Sequence, residues 1–329
     1  MSASTFRMNR ATSGTVGITN DTTARPEPGT LLVRSLTTTV PKELVHRASV
    51  AEVMLTDWES VDDHHFAVAA QWPRGHNFFA TDGRYNPLIA AETIRQAGIL
   101  LAHAEYGVPL DQQPLVRDIS VSVRPEHFGI GWTPATLELR VTVQEAEWHD
   151  GDLTGFRVDV EIHRDGHLAA TGGGALTCAP PLMSRRPGPR LSPEEGRPQV
   201  IALTAPLPPQ AVGRTSPMDV VLSPIGEPHR WQLRVDTGHP VFFDHQVDHV
   251  PDMMLLEAAC QATTTTLERS CMPLDITSEF RRDIALTSPC VIEACRIPGT
   301  GMDAVESVLV TGHQNGKLMF RSTVTVATD

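Results

Sequence analysis

The two halves of the 329-residue chain repeat one another, and this internal repeat limits the fold more than any other feature of the sequence. The first half contains FAVAAQWPRGHNFFATDGRYNPLIAAETIRQA, and the second contains WQLRVDTGHPVFFDHQVDHVPDMMLLEAACQA. Each copy has a strand-like run, a histidine, a Phe-Phe pair, a proline, and an apolar segment that holds Glu and, four residues later, Gln. A repeat of this length indicates two related domains in one chain.

Downstream of the repeated segments, apolar and polar residues alternate, which is typical of antiparallel strands with one buried face. Asp165-Gly166 and Asn315-Gly316 occupy matching places between such runs and predict two-residue hairpin turns. In the first half the predicted buried face is formed by Leu137, Leu139, Val141 and Val143 and then by Phe156, Val158, Val160 and Ile162. Each half is therefore predicted to be one helix followed by an antiparallel meander.

The apolar segments of the repeat predict two buried helices. They run from Pro87 to about His103 and from Pro251 to about Arg269, and both begin with proline, which is tolerated in the first turn. Both are apolar almost all round, as helices inside a protein are. A single apolar helix wrapped by a curved antiparallel sheet is the hot-dog architecture. The sequence thus predicts an α+β protein with a tandem, or double, hot-dog fold.

Composition divides the chain into segments. Residues 1–30 are rich in Ser, Thr, Asn and Gly, which favours a disordered tail. Residues 179–199 mix Pro, Gly, Arg and Glu without apolar periodicity, which is typical of an interdomain linker. We therefore expect the first hot-dog domain at residues 31–178 and the second at residues 200–329, arranged as an internal pseudo-dimer.

Charge and cysteine content exclude several classes of protein. The formal net charge is -12, and no run of Lys or Arg interleaved with aromatic residues occurs, so a nucleic-acid-binding role is not expected. No apolar run is long enough for a membrane span, and the first residues lack the apolar core of a secretory signal. The five cysteines are scattered, with no C-x-x-C pair, which argues against a disulfide framework or a structural zinc site. We expect a cytoplasmic protein with no cofactor and no metal.

Three segments carry a family signature. They are VPKELVHRASVAEVMLTDW, YNPLIAAETIRQAGILLAHAEYGVPL and FFDHQVDHVPDMMLLEAACQA, and they lie in both halves of the chain. These segments resemble the A-factor biosynthesis (AfsA-type) family of γ-butyrolactone signalling. The last segment is also similar to the fatty-acid dehydratase motif, in which a His after a Phe-Phe pair precedes a helix that carries the acid.

The resemblance implies an acyltransferase. Members of the family transfer a 3-oxoacyl group from acyl carrier protein to the primary hydroxyl of dihydroxyacetone phosphate. The product is a phosphorylated ester that condenses to a butenolide, on the way to a γ-butyrolactone or related furan-type signal. Acyl carrier protein and dihydroxyacetone phosphate are therefore the expected partners.

Glu257 is an ionisable residue inside an apolar helix segment. Burying a carboxylate is costly unless the group is hydrogen-bonded or protonated, and desolvation raises its pKa toward the range useful for general acid–base catalysis. One hypothesis is that Glu257, with or without His245, takes the proton from the acceptor hydroxyl. The alternative is a structural Glu that binds a loop amide or faces solvent.

Glu92 occupies the same place in the first copy, with Arg95 and Gln96 three and four residues on, so all three project from one helix face. Arg95 either holds the phosphate of the acceptor or forms an ion pair with Glu92. Gln261 is the second-copy equivalent of Gln96. Glu92 joins Glu257 and His245 as a candidate catalytic residue, and Gln96 and Gln261 join Arg95 as candidate substrate-binding residues.

The chain departs from the family pattern at two positions. The resemblance implies Arg where this chain has Cys260, and Gly where it has Asp252. Loss of that Arg predicts weak activity, a changed acceptor, or transfer of its charge role to Arg281 or Arg282, which also form a candidate basic patch for the carrier protein. Cys260 is either a nucleophile or, as is more common for a buried thiol, a packing residue.

Two histidine-containing stretches match the family outside the helices. His245 stands where the dehydratase comparison places a catalytic His, as a proton relay or as a loop residue bonded to backbone. The His-x-x-x-His spacing from His245 to His249 would suit a metal on a helix, but Pro251 favours a loop. His46 and Arg47 face either the acceptor pocket or solvent.

Two other functions fit the same features. A hot-dog thioesterase or dehydratase would share the acid but release a free acid or an enoyl product. A non-catalytic acyl-binding regulator would have an apolar pocket without a cation near Glu257 or Glu92.

Overall fold

A computed structural model describes residues 38–178, 201–298 and 305–328. The predicted tail at residues 1–30 and the predicted linker at 179–199 lie outside these ranges. The division into domains at 31–178 and 200–329 therefore stays a prediction, although the elements below fall into two matching sets.

The first set of elements contains one long helix and the strands that surround it. In chain order these elements are β1 (Leu55–Ser60), β2 (His65–Trp72), β3 (Ala80–Thr81), β4 (Arg84–Tyr85), α1 (Leu88–Ala104), β5 (Leu115–Val123), β6 (Ala135–His149), β7 (Asp152–Arg164) and β8 (His167–Thr177).

The second set repeats this order without the small β3–β4 hairpin. Its elements are β9 (Leu222–Pro224), β10 (Arg230–Leu233), α2 (Asp252–Leu267), β11 (Pro273–Phe280), β12 (Cys290–Ile297), β13 (Val305–Gln314) and β14 (Lys317–Ala327).

Twelve of the strands in the described ranges form one antiparallel sheet, in the order β1-β2-β6-β7-β8-β5-β11-β14-β13-β12-β10-β9. The order is symmetric about the β5–β11 pair, where Ser120 lies opposite Thr277. Each half of the sheet therefore has the same topology, and the two halves are joined edge to edge. This is the predicted tandem hot-dog arrangement, with one helix for each half.

Both helices begin where the sequence predicts. Pro87 and Pro251 are the residues before the first helical positions, and α1 is buried along nearly its whole length. The second helix ends at Leu267, two residues before the predicted Arg269, because Glu268 adopts a left-handed backbone with φ 56°. Apolar packing on all sides explains why neither helix needs a strongly amphipathic pattern.

The predicted strand alternation and hairpin turns are confirmed. In β6 the side chains of Leu137, Leu139, Val141 and Val143 are buried, and the residues between them are more exposed. Asp165 and Gly166 have φ values of 52° and 77°, the positive values that a two-residue hairpin turn requires. No helix in the described part of the chain is long and apolar enough to cross a membrane.

Candidate active site

Glu92 lies in the second turn of α1 and accepts hydrogen bonds from three side chains, which together with it form the Glu92 cluster. Arg47 lies 2.6 Å from its Oε1, Arg95 binds both carboxylate oxygens, and Gln96 donates to Oε1 at 2.6 Å. Gln96 also accepts from the amide of Met54 at 2.9 Å. The Glu92 side chain is 1% exposed, so the cluster is a buried ion pair with additional hydrogen bonds.

The charge state of Glu92 follows from these partners. Burial by itself would raise the pKa of Glu92, but the charges of Arg47 and Arg95 outweigh that effect and lower the pKa to about 2. The carboxylate is therefore ionised at neutral pH. Glu92, Arg95 and Gln96 project from one helix face, as their spacing predicts.

Glu257 occupies the equivalent place in α2 and forms the Glu257 cluster with two other residues. Arg214 binds both carboxylate oxygens, with its Nε 2.6 Å from Oε1, and Gln261 donates to Oε1. The Oε1 atom of Gln261 accepts from the amide of Val221 at 3.0 Å. The Glu257 side chain is also 1% exposed. Both of its carboxylate oxygens are thus engaged by side chains of its own half.

Sequence reasoning missed Arg214, although the repeat contains the signal. The stretch LVHRASVAEVML, which holds Arg47, aligns without gaps with AVGRTSPMDVVL, which holds Arg214. In both copies the residue before the arginine has a left-handed backbone, His46 with φ 52° and Gly213 with φ 71°. This turn brings each arginine to the glutamate of its helix.

Each arginine also reaches the other half of the molecule. Arg47 donates to the carbonyl of Val241 at 3.2 Å, and Arg214 donates to the carbonyl of Phe78 at 3.0 Å. The Arg214 guanidinium also lies over the Phe78 ring, 4.0 Å from its centroid. These reciprocal bonds make Phe78 equivalent to Val241, so the Phe-Phe pairs of the two copies are offset by one residue.

His76 and His239, the histidines that precede the Phe-Phe pairs, have a folding role. His76 Nδ1 accepts from the amide of Phe79 at 3.1 Å, and His239 Nδ1 accepts from the amide of Phe242 at 3.2 Å. Although the sequence shows no acid beside either histidine, each Nε2 faces a carboxylate, that of Glu52 or Asp219.

His245 lies in the loop before α2 and is held by Asp244. Its Nδ1 lies 2.6 Å from Asp244 Oδ1, and Asp244 Oδ2 accepts from the amide of Ala48 at 2.8 Å. Burial would raise the pKa of Asp244, but the hydrogen bond from His245 and the charge of Arg47 lower it to about 2. Because an ionised carboxylate only accepts hydrogen bonds, Nδ1 of His245 donates in this bond, and Nε2 is the ring nitrogen that can take up a proton.

A cleft brings residues of both halves together. Arg47 and Arg95 come from the first half, while His245 and the first turn of α2 come from the second. Arg95 keeps 13% of its side chain exposed and His245 keeps 36%. The cleft therefore presents a guanidinium and an imidazole to the same space. Its apolar wall includes Val241, Phe242, Val247 and Met253.

His46 adds no charge to this region. Its Nε2 lies 2.7 Å from Nε2 of His103, and Nδ1 of His103 lies 2.7 Å from the carbonyl of Val108. Since a carbonyl only accepts, Nδ1 of His103 donates, and its Nε2 accepts from His46. Burial and the neighbouring His103 and Arg95 lower the pKa of His46 to about 4, so the ring is neutral at pH 7.

Cys260 stands in the second helix where Arg95 stands in the first. Burial and the charge of Glu257 raise the pKa of Cys260 well above that of a free thiol. A protonated thiol is a poor nucleophile, so the surroundings favour a packing role. The Glu257 cluster thus lacks the second cation of the Glu92 cluster.

Arg281 and Arg282 lie outside both clusters. Arg281 donates to Glu279 at 3.1 Å, and Arg282 donates to the carbonyl of Leu318 at 3.0 Å. In the described part of the chain neither contacts Glu257, whose cation is Arg214. Their role in substrate or carrier binding stays a prediction. Within residues 38–178, 201–298 and 305–328, no group of three or more His, Cys, Asp or Glu is arranged to hold a metal ion.

Two relatives of this chain have the same enzyme name. The protein from Streptomyces virginiae, named 2-oxo-3-(phosphooxy)propyl 3-oxoalkanoate synthase, is 46% identical over 288 residues, which are 87% of this chain and 96% of the relative. A protein of the same name from Streptomyces griseus is 39% identical over 283 residues, 84% of this chain and 92% of the relative.

Solved structures also match. The 12:0-ACP thioesterase from Umbellularia californica is 12% identical, with a TM-score of 0.49, and the match covers 80% of this chain and 94% of that one. An acyl-ACP thioesterase from Bacteroides thetaiotaomicron VPI-5482 is 11% identical, with a TM-score of 0.49, and covers 79% and 97%.

The family model described as "A-factor biosynthesis hotdog domain" matches residues 30–180 and 198–280. These ranges include both helices, both arginine turns and the loop of His245. Together with relatives of 39% and 46% identity along most of their length, the match shows that this chain belongs to the A-factor biosynthesis hot-dog family.

Proposed function

We propose that the protein is an acyltransferase that moves a 3-oxoacyl group from acyl carrier protein to the hydroxyl of dihydroxyacetone phosphate. The observation that carries the proposal is the cleft in which Arg95 and His245 face the same space. An acyl transfer to a phosphorylated alcohol needs a cation for the phosphate and a base for the hydroxyl. The name of the relatives, 2-oxo-3-(phosphooxy)propyl 3-oxoalkanoate synthase, supports the same reaction.

Arg95 binds the phosphate of the acceptor. A guanidinium matches phosphate oxygens with paired N–H groups, and Arg95 is the more exposed of the two arginines in the cleft. Arg47, with 5% of its side chain exposed, holds Glu92 and Asp244 in place. Because the cleft contains cations beside Glu92, it does not fit the wholly apolar pocket expected of a non-catalytic acyl-binding regulator.

His245 takes the proton from the acceptor hydroxyl. Asp244 fixes the tautomer that leaves Nε2 free, so the oxygen can attack the thioester carbonyl as its proton moves to the imidazole. The first turn of α2 also lines the cleft. Met254 and Leu255 donate their amides to the carbonyl of Pro251, which leaves the amides of Asp252 and Met253 for a ligand. Those amides stabilise the oxyanion of the tetrahedral intermediate.

Glu92 and Glu257 orient arginines, and we assign neither the role of base. The earlier hypothesis that Glu257 is the base stays a prediction, and its geometry makes the hypothesis testable. Glu257 would have to leave Arg214 and Gln261 before it could accept a proton. If Glu257 is the base, Glu257→Gln abolishes turnover; if it is structural, the variant loses stability and the folded fraction keeps its turnover.

The thioester donor is acyl carrier protein, and the acyl chain lies along the apolar residues beside the helices. Arg281 and Arg282 are exposed cations suited to an acidic carrier protein. Since that partner is cytoplasmic, the proposal places this protein in the cytoplasm as well.

The test is to incubate the purified protein with a 3-oxoacyl-loaded carrier protein and dihydroxyacetone phosphate, and to follow the products by mass. The expected product is the phosphorylated ester, formed only when both substrates are present. Thiol release that does not depend on the acceptor would indicate a thioesterase instead. Tight acyl binding without turnover would indicate a regulator.

A further inference from the structure

Asp252 is the first residue of α2. Its carboxyl group has no role in the proposed proton transfer to His245. Asp252 lines the cleft of Arg95 and His245, and it also lines a second, neighbouring cleft. His249 is the other residue shared by the two clefts. Asp252 therefore stands where the two spaces adjoin.

The second cleft has the chemistry of a thioester site. Its polar lining consists of two arginines, Arg117 and Arg282, together with His249, Asp252 and Asp283. An apolar wall suits an acyl chain, and cations suit the phosphodiester of a carrier's prosthetic group. If the acceptor occupies the first cleft and the thioester the second, the reacting carbonyl lies beside Asp252. The apolar wall is formed by Leu115, Val116, Leu255, Phe280 and Ile284.

The carboxyl of Asp252 is suited to carry a proton. Among the described residues, no hydrogen bond or ion pair engages it. Burial raises its pKa to about 6, and Asp283 acts in the same direction, while His249, Arg95 and Arg117 act against it. These charged groups come from α1, β5 and the loops around the cleft, so the balance is set by both halves of the protein.

We propose that Asp252 is the general acid that protonates the departing sulfur during acyl transfer. The inference rests on the proposed function, since it divides the proton transfers of that reaction between two residues. His245 lines only the cleft assigned to the acceptor, whereas Asp252 lines both clefts. The residue that reaches the thioester side is therefore the one that meets the leaving group.

The proton balance of the step is complete. The acceptor O–H bond breaks and its proton moves to Nε2 of His245, while the oxygen forms a bond to the thioester carbon. The C–S bond then breaks, and the sulfur takes the proton of Asp252 to leave as a thiol. Protonated His245 and ionised Asp252 remain, and a proton passes between them through solvent before the next turnover.

The experiment compares two esters of the same 3-oxoacyl group, with dihydroxyacetone phosphate as acceptor. One is the pantetheine thioester, whose alkyl thiolate is a poor leaving group, and the other is the thiophenyl ester, whose aryl thiolate leaves without a proton. We expect Asp252→Asn to slow the reaction of the pantetheine ester roughly 10- to 100-fold, which is within the usual range for general acid–base catalysis. The reaction of the thiophenyl ester should slow by no more than about twofold. Asp252→Glu, which keeps an acid, should partly restore the pantetheine rate.

Asp283→Asn is the matched control, because it removes a carboxylate from the same cleft without removing the proposed acid. Because Asp283 raises the pKa of Asp252, its loss should change the ratio of the two ester rates only slightly, and far less than Asp252→Asn does. A second measurement needs no variant: kcat/KM of the wild-type protein for the pantetheine ester should fall as pH rises above about 6, and that for the thiophenyl ester should not.

The outcomes separate this inference from the proposed function. Equal slowing of both esters by Asp252→Asn, or no slowing of either, would overturn the acid role while ester formation by the wild-type protein stands. If the wild-type protein forms no ester from either donor, the proposed function fails and this inference fails with it.

Discussion

The Glu92 cluster and the Glu257 cluster share a frame and differ at its edge. In both, an arginine from a preceding turn binds the helix carboxylate, and a glutamine one turn later ties that carboxylate to the backbone. Three residues after the glutamate, the first helix has Arg95, which reaches a cleft, and the second has Cys260, a protonated thiol. The shared frame supports a folding role for both glutamates, and under the proposed function the difference marks the binding site.

The loops of the two halves show the opposite asymmetry. Phe79 and Phe242 occupy equivalent places by their bonds to histidines. Three residues later the first half has Asp82, exposed in the turn between β3 and β4, and the second half has His245. The cleft thus joins the extra arginine of one half to the histidine of the other. The reciprocal cleft would need Arg in place of Cys260 and His in place of Asp82, so we propose a single working site.

The largest expected effect comes from removing the imidazole of this site. Gln in place of His245 keeps a similar size but cannot accept the proton, so His245→Gln should lower kcat roughly 10²- to 10⁴-fold. The control is His65→Gln, because His65 also binds an aspartate through Nδ1, at 2.8 Å, but is exposed on the surface. Steady-state kinetics with the carrier-bound donor measures both. Turnover within about twofold of wild type in His245→Gln would end the assignment of the base.

The next effect concerns stability and separates the two clusters. Arg214 is the cation of Glu257, so Arg214→Leu leaves a buried carboxylate unpaired and should cost about 3–5 kcal/mol of unfolding free energy. In Arg47→Leu the Glu92 carboxylate keeps Arg95, so we expect a smaller loss of about 1–3 kcal/mol. Urea unfolding of both variants gives the comparison. Equal losses would show that Arg95 does not compensate for Arg47.

Local sequence patterns predicted the elements but not the partners of the buried acids. Alternation in β6, the Asp165-Gly166 turn and the two proline-led helices all depend on residues close in sequence. Arg214 and Glu257, by contrast, are 43 positions apart, and their pairing depends on a turn that only the fold brings to the helix.

The same limit explains how the candidate base was chosen. An acid inside an apolar run is visible in the sequence, so Glu257 was the first candidate. The arginine that binds both carboxylate oxygens of Glu257 is found only when the alignment of the two repeats is extended to the turns that contain Arg47 and Arg214. Asp244 was missed because an aspartate in a loop carries no periodic signal, although it fixes the tautomer of His245.

The third prediction tests whether Glu92 is held charged. Its folded pKa of about 2 lies below the unfolded value of 4.5, so this carboxylate adds stability above pH 4.5 that is lost as pH falls toward 2. The shift corresponds to about 3 kcal/mol of unfolding free energy. Glu92→Gln lacks the titrating carboxylate, so acid should destabilise this variant by about 3 kcal/mol less than it destabilises the wild-type protein. Chemical unfolding at several pH values compares this variant with wild type and with Glu43→Gln, an exposed control. The same acid sensitivity in Glu92→Gln as in wild type would contradict the ion-pair account.

The fourth prediction concerns a substitution that makes the Glu92 cluster resemble the Glu257 cluster. Arg95→Cys removes the exposed guanidinium and should raise KM for dihydroxyacetone phosphate roughly 10- to 100-fold, the effect of losing about 1.5–3 kcal/mol from a hydrogen bond to a charged group. The KM for the acyl donor should change much less. Arg140→Cys, an exposed arginine on β6, is the control. An unchanged KM for the acceptor would place the phosphate elsewhere.

The smallest effect is expected at Cys260, the residue of α2 that stands where α1 has Arg95. The thiol is held protonated by burial and by Glu257, so Cys260→Ala should leave turnover within about twofold of wild type. Losing one partly buried sulfur should change the unfolding free energy by about 1 kcal/mol or less. Cys295→Ala, at an exposed position, provides the control for removing a thiol. If Cys260→Ala instead lost turnover while an acyl group could be trapped on the wild-type thiol, the second cluster would be catalytic and the single-cleft proposal would fail.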